Sequence, residues 1–293
     1  MKANFVIMGL PSSGKTTFLA ALWHLIEADQ TDCRLKLDRY EGDLKYLNSI
    51  SQAWRTFKPV PRTSQVGDVD IAIYLEDSET GAKGRAFFPD LAGETFDTQV
   101  EARRCRPKFL SNVDDGDGIL FFISANLTQD GLSIVELNQM LPSEIETETP
   151  GETQDAITAP GKSPQFAEWV PKMIINQARI VQILTDLQRR PFAVHRRRLA
   201  ILISAWDLLG ATTSAPDEWL ETNLPLVYQF IRSNTDSFEI KVYGVSAQGV
   251  DLGNKAAVAE AGKLPASARI SILGENGKGH DITTPLVWLM SDR

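Results

Sequence analysis

The stretch Gly9-Leu10-Pro11-Ser12-Ser13-Gly14-Lys15-Thr16-Thr17 reads G-x-x-x-x-G-K-[ST], the spacing of a phosphate-binding loop. Its flanks supply the context that such a loop requires. Phe5-Val6-Ile7-Met8 is a short apolar run of the kind a buried parallel strand needs. After the loop, the run from Thr17 to Ile26 predicts a largely buried helix, with 16–29 as its extent. Gly9 and Gly14 have no Cβ, so the chain can curl and bring its amide N–H groups close to phosphate oxygens. The helix start adds unpaired N–H groups and the positive end of its dipole. On this reading Gly9, Pro11, Ser12, Ser13, Gly14, Lys15, Thr16 and Thr17 form a phosphate site. Lys15 brings a point charge to the terminal phosphates. The Thr16 hydroxyl suits Mg²⁺, a hard cation that prefers oxygen.

The composition narrows the setting. A chain of 293 residues makes one large domain or two small ones. Hydrophobic residues at 43% and charged ones at 23% describe an ordinary soluble globular protein. A net charge of −8 argues against nucleic acid as the main ligand, because phosphate backbones need a positive surface. The basic residues Arg189, Arg190, His195, Arg196, Arg197 and Arg198 are a local exception, and fit a helix C-terminus with the loop after it. Two cysteines, Cys33 and Cys105, are too few for a disulfide scaffold and lack metal-ligand spacing. The first apolar segment runs straight into the loop, and no apolar stretch reaches membrane-spanning length. A cytoplasmic protein without a transmembrane segment is expected.

Along the chain, 31–41 allows either a short extra strand or a loop. Leu44, Leu47, Ile50, Ala53, Trp54 and Phe57 are spaced as on a helix over 42–57. Pro59 and Pro61 force the next segment to be extended or looped. Val69 to Leu75, a turn at 77–81 and Arg85 to Phe88 predict a hairpin. A helix over 95–110 follows, closed by Pro107. Ile119 to Ile123, Leu199 to Ile203 and Glu239 to Val245 are further strands. Helices are expected at 165–189, from Pro216 to about 233, and from Thr284 onward. The fold class expected is α/β: a three-layer, mostly parallel sheet of about six strands with one antiparallel strand. The chain is expected to form a single domain over 1–293, with a mobile polar insertion at 127–163 and a loop-rich insertion at 248–281.

Ligands of such sheets bind at the carboxyl ends of the strands, where each motif falls. Asp90-Leu91-Ala92-Gly93-Glu94 follows an apolar strand. An aspartate there can support the water shell of Mg²⁺, and Gly93 can present its N–H to a γ-phosphate. The order of parts resembles the Ras-like and translation-factor-related GTPases. Those parts are the phosphate loop, a threonine before a hairpin, D-x-x-G, a strand ending in Asp207, and a strand ending in Ser246-Ala247. The resemblance covers about 4–247 and implies the P-loop NTPase fold with GTP as ligand and Mg²⁺ as cofactor. It implies that Thr63 closes on the metal with Thr16 and Asp90. It also implies that Asp207 binds guanine N1 and N2, and that Ser246 and Ala247 cover O6. A narrower likeness joins Asp90 to Glu94 with the polar insertion and the terminal Pro285-Leu286-Val287-Trp288-Leu289. That set is similar to bacterial double-GTPase domains of conflict and defence loci. The implied activity is a GTP-hydrolysing switch with a protein partner that binds in one nucleotide state.

The chain departs from the family's pattern at its guanine motif. It has Ser204-Ala205-Trp206-Asp207 where the family carries Asn-Lys-x-Asp, so the lysine that flanks the base is absent. Trp206 can stack nearby or be buried. Glu94 stands where many members have a water-positioning glutamine; as the catalytic group beside Thr63 and Lys15 it has to be protonated or turned from the phosphate. Thr56 and Ser64 rival Thr63. Arg103, Arg104 and Arg106 offer either a finger in cis or a solvated helix face. His24 reads as a packing residue. Two other functions stay open: an ATP-dependent kinase or ATPase of the same loop class, and a non-catalytic nucleotide-binding module.

Overall fold

The computed structural model describes residues 2–28, 33–60, 70–89, 94–116, 118–126, 174–210 and 215–291. The first strand, β1 (Lys2–Gly9), leads through the loop into α1 (Lys15–Ala28). Then come β2 (Leu35–Glu41), α2 (Leu44–Arg55) and the hairpin β3 (Ile71–Asp77) and β4 (Lys83–Phe88). Helices α3 (Glu94–Ala102) and α4 (Pro107–Asp114) precede β5 (Gly118–Ser124), α5 (Asn176–Asp186) and β6 (Arg197–Ser204). A 3-10 turn at Trp206–Leu209, α6 (Pro216–Asn223) and α7 (Pro225–Ser233) lead to β7 (Phe238–Ser246). The last elements are α8 (Lys255–Ala261), β8 (Ser271–Gly274), β9 (Gly277–Gly279) and α9 (Thr284–Met290).

The strands form one nine-stranded sheet in the order β2-β3-β4-β1-β5-β6-β7-β8-β9. β4, β1, β5, β6 and β7 are parallel neighbours. Pairing is antiparallel at β2–β3, β3–β4, β7–β8 and β8–β9. Successive side chains of a strand face opposite sides, and the core divides accordingly. Phe5 and Ile7 join α1, α2 and α9 in one apolar cluster. Val6 and Met8 join α3 to α7 in another. The result is three layers with the sheet in the middle.

The sheet is larger than the expected one of about six strands with one antiparallel. β2 extends one edge, and the β8–β9 hairpin extends the other. The stretch 248–281 is therefore not simply loop-rich: it holds α8, a 3-10 turn at Ala266–Arg269 and that hairpin. The expected helix over 95–110 is two helices. Arg103 adopts φ 55°, a left-handed conformation that an α-helix interior does not admit, and Pro107 opens α4 rather than closing α3. Pro225 likewise divides the helix expected from 216 to 233, because a proline has no N–H to continue the ladder. In the described part of 165–189 the helix is Asn176–Asp186. The insertion 127–163 lies outside the described residues. No helix among the described residues is long and apolar enough to cross a membrane.

Candidate functional site

The loop after β1 is shaped by contacts that only small residues permit. Gly9 pairs with Phe122 across β1 and β5, and its φ is +144°. A Cβ there would lie 2.6 Å from the Phe122 carbonyl oxygen and 2.8 Å from Ser13 Oγ. Gly14 has φ +92°, and a Cβ there would meet the Ser204 side chain at 2.8 Å. Both positions thus demand glycine on conformation and on space. Ser12 also lies in the left-handed region, at φ 61°. Phe18 N–H donates to the Gly14 carbonyl and starts the α1 ladder.

Lys15 is 3% exposed and folds back over its own loop. Its ammonium donates to the Gly9 and Leu10 carbonyls, each at 2.8 Å, and to Ser13 Oγ at 3.3 Å. It also lies 5.7 Å from the centre of the Phe96 ring on α3. The Ser204 hydroxyl, from the end of β6, donates to the Ser13 carbonyl at 2.8 Å. Thr16 is half-buried in the first turn of α1, and its hydroxyl has no partner among the described residues. Such an oxygen fits a hard cation that takes further oxygens from phosphate and water. The described residues contain no cluster of three or more His, Cys, Asp or Glu able to hold a metal alone.

The loop stands between two cavities. The larger, about 340 Å³, joins Ser12, Gly14, Thr17 and Phe18 to Ser204, Asp207 and Ala247. Ala247 lines it, whereas Ser246 is buried and is not among the lining residues. The smaller, about 210 Å³, is lined by Pro11, Ser12, Ser13 and the start of α5. Asp207 is exposed on the 3-10 turn. Ala205 before it is left-handed, at φ 56°. Trp206 takes the buried alternative: it packs against Gly244, where a Cβ would meet its ring at 2.4 Å, and edge-on against Trp219 at 6.1 Å.

Other expected site residues are placed differently. Thr63, Asp90 and Gly93 lie outside the described residues, and Glu94 is the first residue of α3. Thr56 is spent at the C-terminus of α2, where its hydroxyl donates to the Gln52 carbonyl. Arg103 pairs with Asp186 on α5, and Arg106 with Asp70, so both are engaged by carboxylates. The basic run is structural at its end, where Arg197 and Arg198 open β6 instead of lying in the loop after the helix. Arg197 donates to the Leu187 and Ala193 carbonyls, and Arg198 to those of Trp288 and Ser291. His24 is buried in α1 against Trp54, its ring centre 5.3 Å away.

Two further residues bond to the site's backbone: Ser204, which in sequence only departs from a family pattern, to the Ser13 carbonyl, and Trp54, in sequence one apolar position of a helix, to the Ala247 carbonyl. Each acts through a partner about 190 positions away, so no local pattern could signal it.

A strand–loop–helix unit with these glycines and this lysine, at the carboxyl end of a central parallel strand, defines an α/β domain of the phosphate-loop class. Residues 6–289 match the family described as DO-GTPase1, Double-GTPase 1, and the chain belongs to that family. Among solved structures, one similar chain is the GTPase-like domain of S. cerevisiae Ski7 bound to GTP. It is 12% identical with a TM-score of 0.46, and the match covers 99% of this chain and 50% of that one. This chain therefore spans about half the length of that structure's chain. Comparison with curated proteins gives no match.

Proposed function

We propose that the chain is a Mg²⁺-dependent switch that binds and hydrolyses GTP. One observation carries the reading: a single cavity runs from Gly14 and Thr17 of the loop to Asp207 and Ala247. A phosphate tail held by the loop thus has its base within the same cavity as the carboxylate expected to read it. Lys15 exchanges its bonds to the Gly9 and Leu10 carbonyls for the β- and γ-phosphate oxygens. Thr16 and Thr63 would hold Mg²⁺, with Asp90 supporting its water shell, and the ion would supply charge neutralisation at those oxygens. The Gly93 N–H senses the γ-phosphate, and Glu94 orients the attacking water. Helix α3 responds to the presence of the γ-phosphate. Support for this coupling comes from the contact between Lys15 and Phe96, which links the loop to α3. A protein partner then binds one nucleotide state only.

The rival kinase reading needs an arginine lid over the phosphates. Arg103 and Arg106 are paired with carboxylates, while Arg197 and Arg198 hold backbone carbonyls. Calorimetry with GTP and with ATP, each with Mg²⁺, decides the base. Binding of ATP equal to or tighter than GTP would remove the GTPase reading and keep the fold. Free phosphate released from GTP tests turnover, and its absence with every candidate activator would leave a non-hydrolysing nucleotide-binding module. The family resemblance extends the proposal to bacterial conflict or defence loci. Unchanged phage sensitivity in cells carrying Lys15→Ala would count against that setting.

A further inference from the structure

The base half of the cavity is held from outside by α2, through Trp54. This residue is fully buried one position before the end of the helix. Its indole N–H donates to the Ala247 carbonyl at 2.9 Å. Gln248 returns a bond in the opposite direction, its side-chain amide donating to the Trp54 carbonyl at 3.4 Å. Arg269 lies over the Trp54 ring at 4.8 Å and over the Phe57 ring at 4.1 Å. Gly249 then presses against the Arg269 backbone, at φ +73°, where a Cβ would come within 2.1 Å of the Arg269 carbonyl oxygen. The segment after β7 is therefore fixed by a residue that is not one of the cavity's lining residues.

The orientation of one peptide plane follows. The Ala247 carbonyl points at Trp54, and in a trans peptide the N–H of the next residue points the other way. That N–H belongs to Gln248, which lines the cavity with Ala247. It has no acceptor among the described residues. A donor at this place matches a purine with a carbonyl at position 6 and mismatches one with an amino group there, which brings donors of its own. This selection for guanine does not need the lysine that the Ser204-Ala205-Trp206-Asp207 stretch lacks.

Resting on the GTP reading above, we infer that Trp54 is a positioning residue for base selection. Its N–H holds the Ala247 carbonyl so that the Gln248 N–H donates to O6 of the bound base. The same helix also leads to Val60, which lines the cavity, so α2 sets two parts of its wall.

The test is calorimetry on the full chain with GTP, inosine triphosphate, ATP and inorganic tripolyphosphate, each with Mg²⁺. Trp54→Phe keeps an aromatic ring against His24 and Arg269 and removes the donor. The expected result is a three- to ten-fold loss for GTP and inosine triphosphate, both of which carry O6. Binding of ATP and tripolyphosphate should stay at the wild-type level. An equal loss for tripolyphosphate would reveal a general packing role and overturn the inference, as would unchanged GTP binding. Should Trp54→Phe fail to fold, Gln248→Ala loosens the same peptide from the loop side. It should weaken GTP about two-fold without affecting tripolyphosphate; no change there would also overturn the inference. Failure of wild-type protein to bind GTP would instead sink the proposed function, so the two failures are read from different proteins.

Discussion

The Ser204 hydroxyl donates to the Ser13 carbonyl at 2.8 Å, which ties the tip of β6 to the phosphate loop. Both residues are buried, so the bond is shielded from bulk solvent. Removing one partner of a buried hydrogen bond costs about 1–3 kcal/mol. Ser204→Ala should therefore loosen the loop and weaken GTP binding by about ten-fold. Thermal unfolding and calorimetry on the same preparation separate the two effects. Tight GTP binding by the alanine variant would show that the loop keeps its shape unaided.

Lys15 makes a second test of the loop. With its ammonium on the Gly9 and Leu10 carbonyls, the lysine holds the loop's curl before any phosphate arrives. Lys15→Ala removes that support as well as the charge. We expect GTP affinity to fall by at least about 100-fold, since charged hydrogen bonds contribute about 1.5–3 kcal/mol each. Stability should fall by roughly 1–3 kcal/mol, because two buried carbonyls lose their donor. A variant with near-normal GTP affinity would place the phosphates elsewhere.

The phosphate loop was legible because its chemistry is local: glycines, lysine and threonine within nine positions of one another. β5 and β6 were legible because both faces are covered, so they read as unbroken apolar runs. β2 was ambiguous for the opposite reason. It is an edge strand carrying Lys36, Asp38, Arg39 and Glu41, and charges there guard an open edge while blurring the strand pattern. β9 has three residues, too few for any period. Pro107 marks a helix boundary in the sequence but not its side, because a proline both ends and begins helices. The roles of Ser204 and Trp54 depend on Ser13 and Ala247, partners that only the folded sheet brings near.

Asp186 gathers the contacts that hold α3 to α5. Burial alone would raise its carboxyl, but hydrogen bonds from Arg103, Arg189 and Gln99 outweigh that and hold it below the usual carboxylate range. Arg179 of α5 adds bonds to Asp97 and Glu101 of α3. Asp186→Asn should cost about 1–3 kcal/mol, the penalty for leaving buried hydrogen-bonding groups without their partner. Amide exchange over 94–102 should quicken more than exchange in β6. Uniform acceleration across the chain would mean that Asp186 supports the whole fold rather than this helix.

His24 gives a pH dependence with a definite sign. Burial lowers its pKa below the ordinary 6.5, and the nearby cations Arg55 and Arg269 lower it further. Its Nε2 is buried with no partner, so a proton there would gain no acceptor. The unfolded chain therefore takes up this proton first as the pH falls. Stability is complete above the unfolded value of 6.5 and declines as the pH drops from there toward the lower folded value. The slope from one such group is at most about 1.4 kcal/mol per pH unit. His24→Leu keeps an apolar side chain beside Trp54 and cannot titrate, so its unfolding free energy should be flatter between about pH 6.5 and pH 5. Urea unfolding at several pH values compares the two proteins, and the difference between their curves isolates His24 from the carboxylates that titrate lower. Parallel curves would show that His24 takes up its proton equally easily in the folded chain.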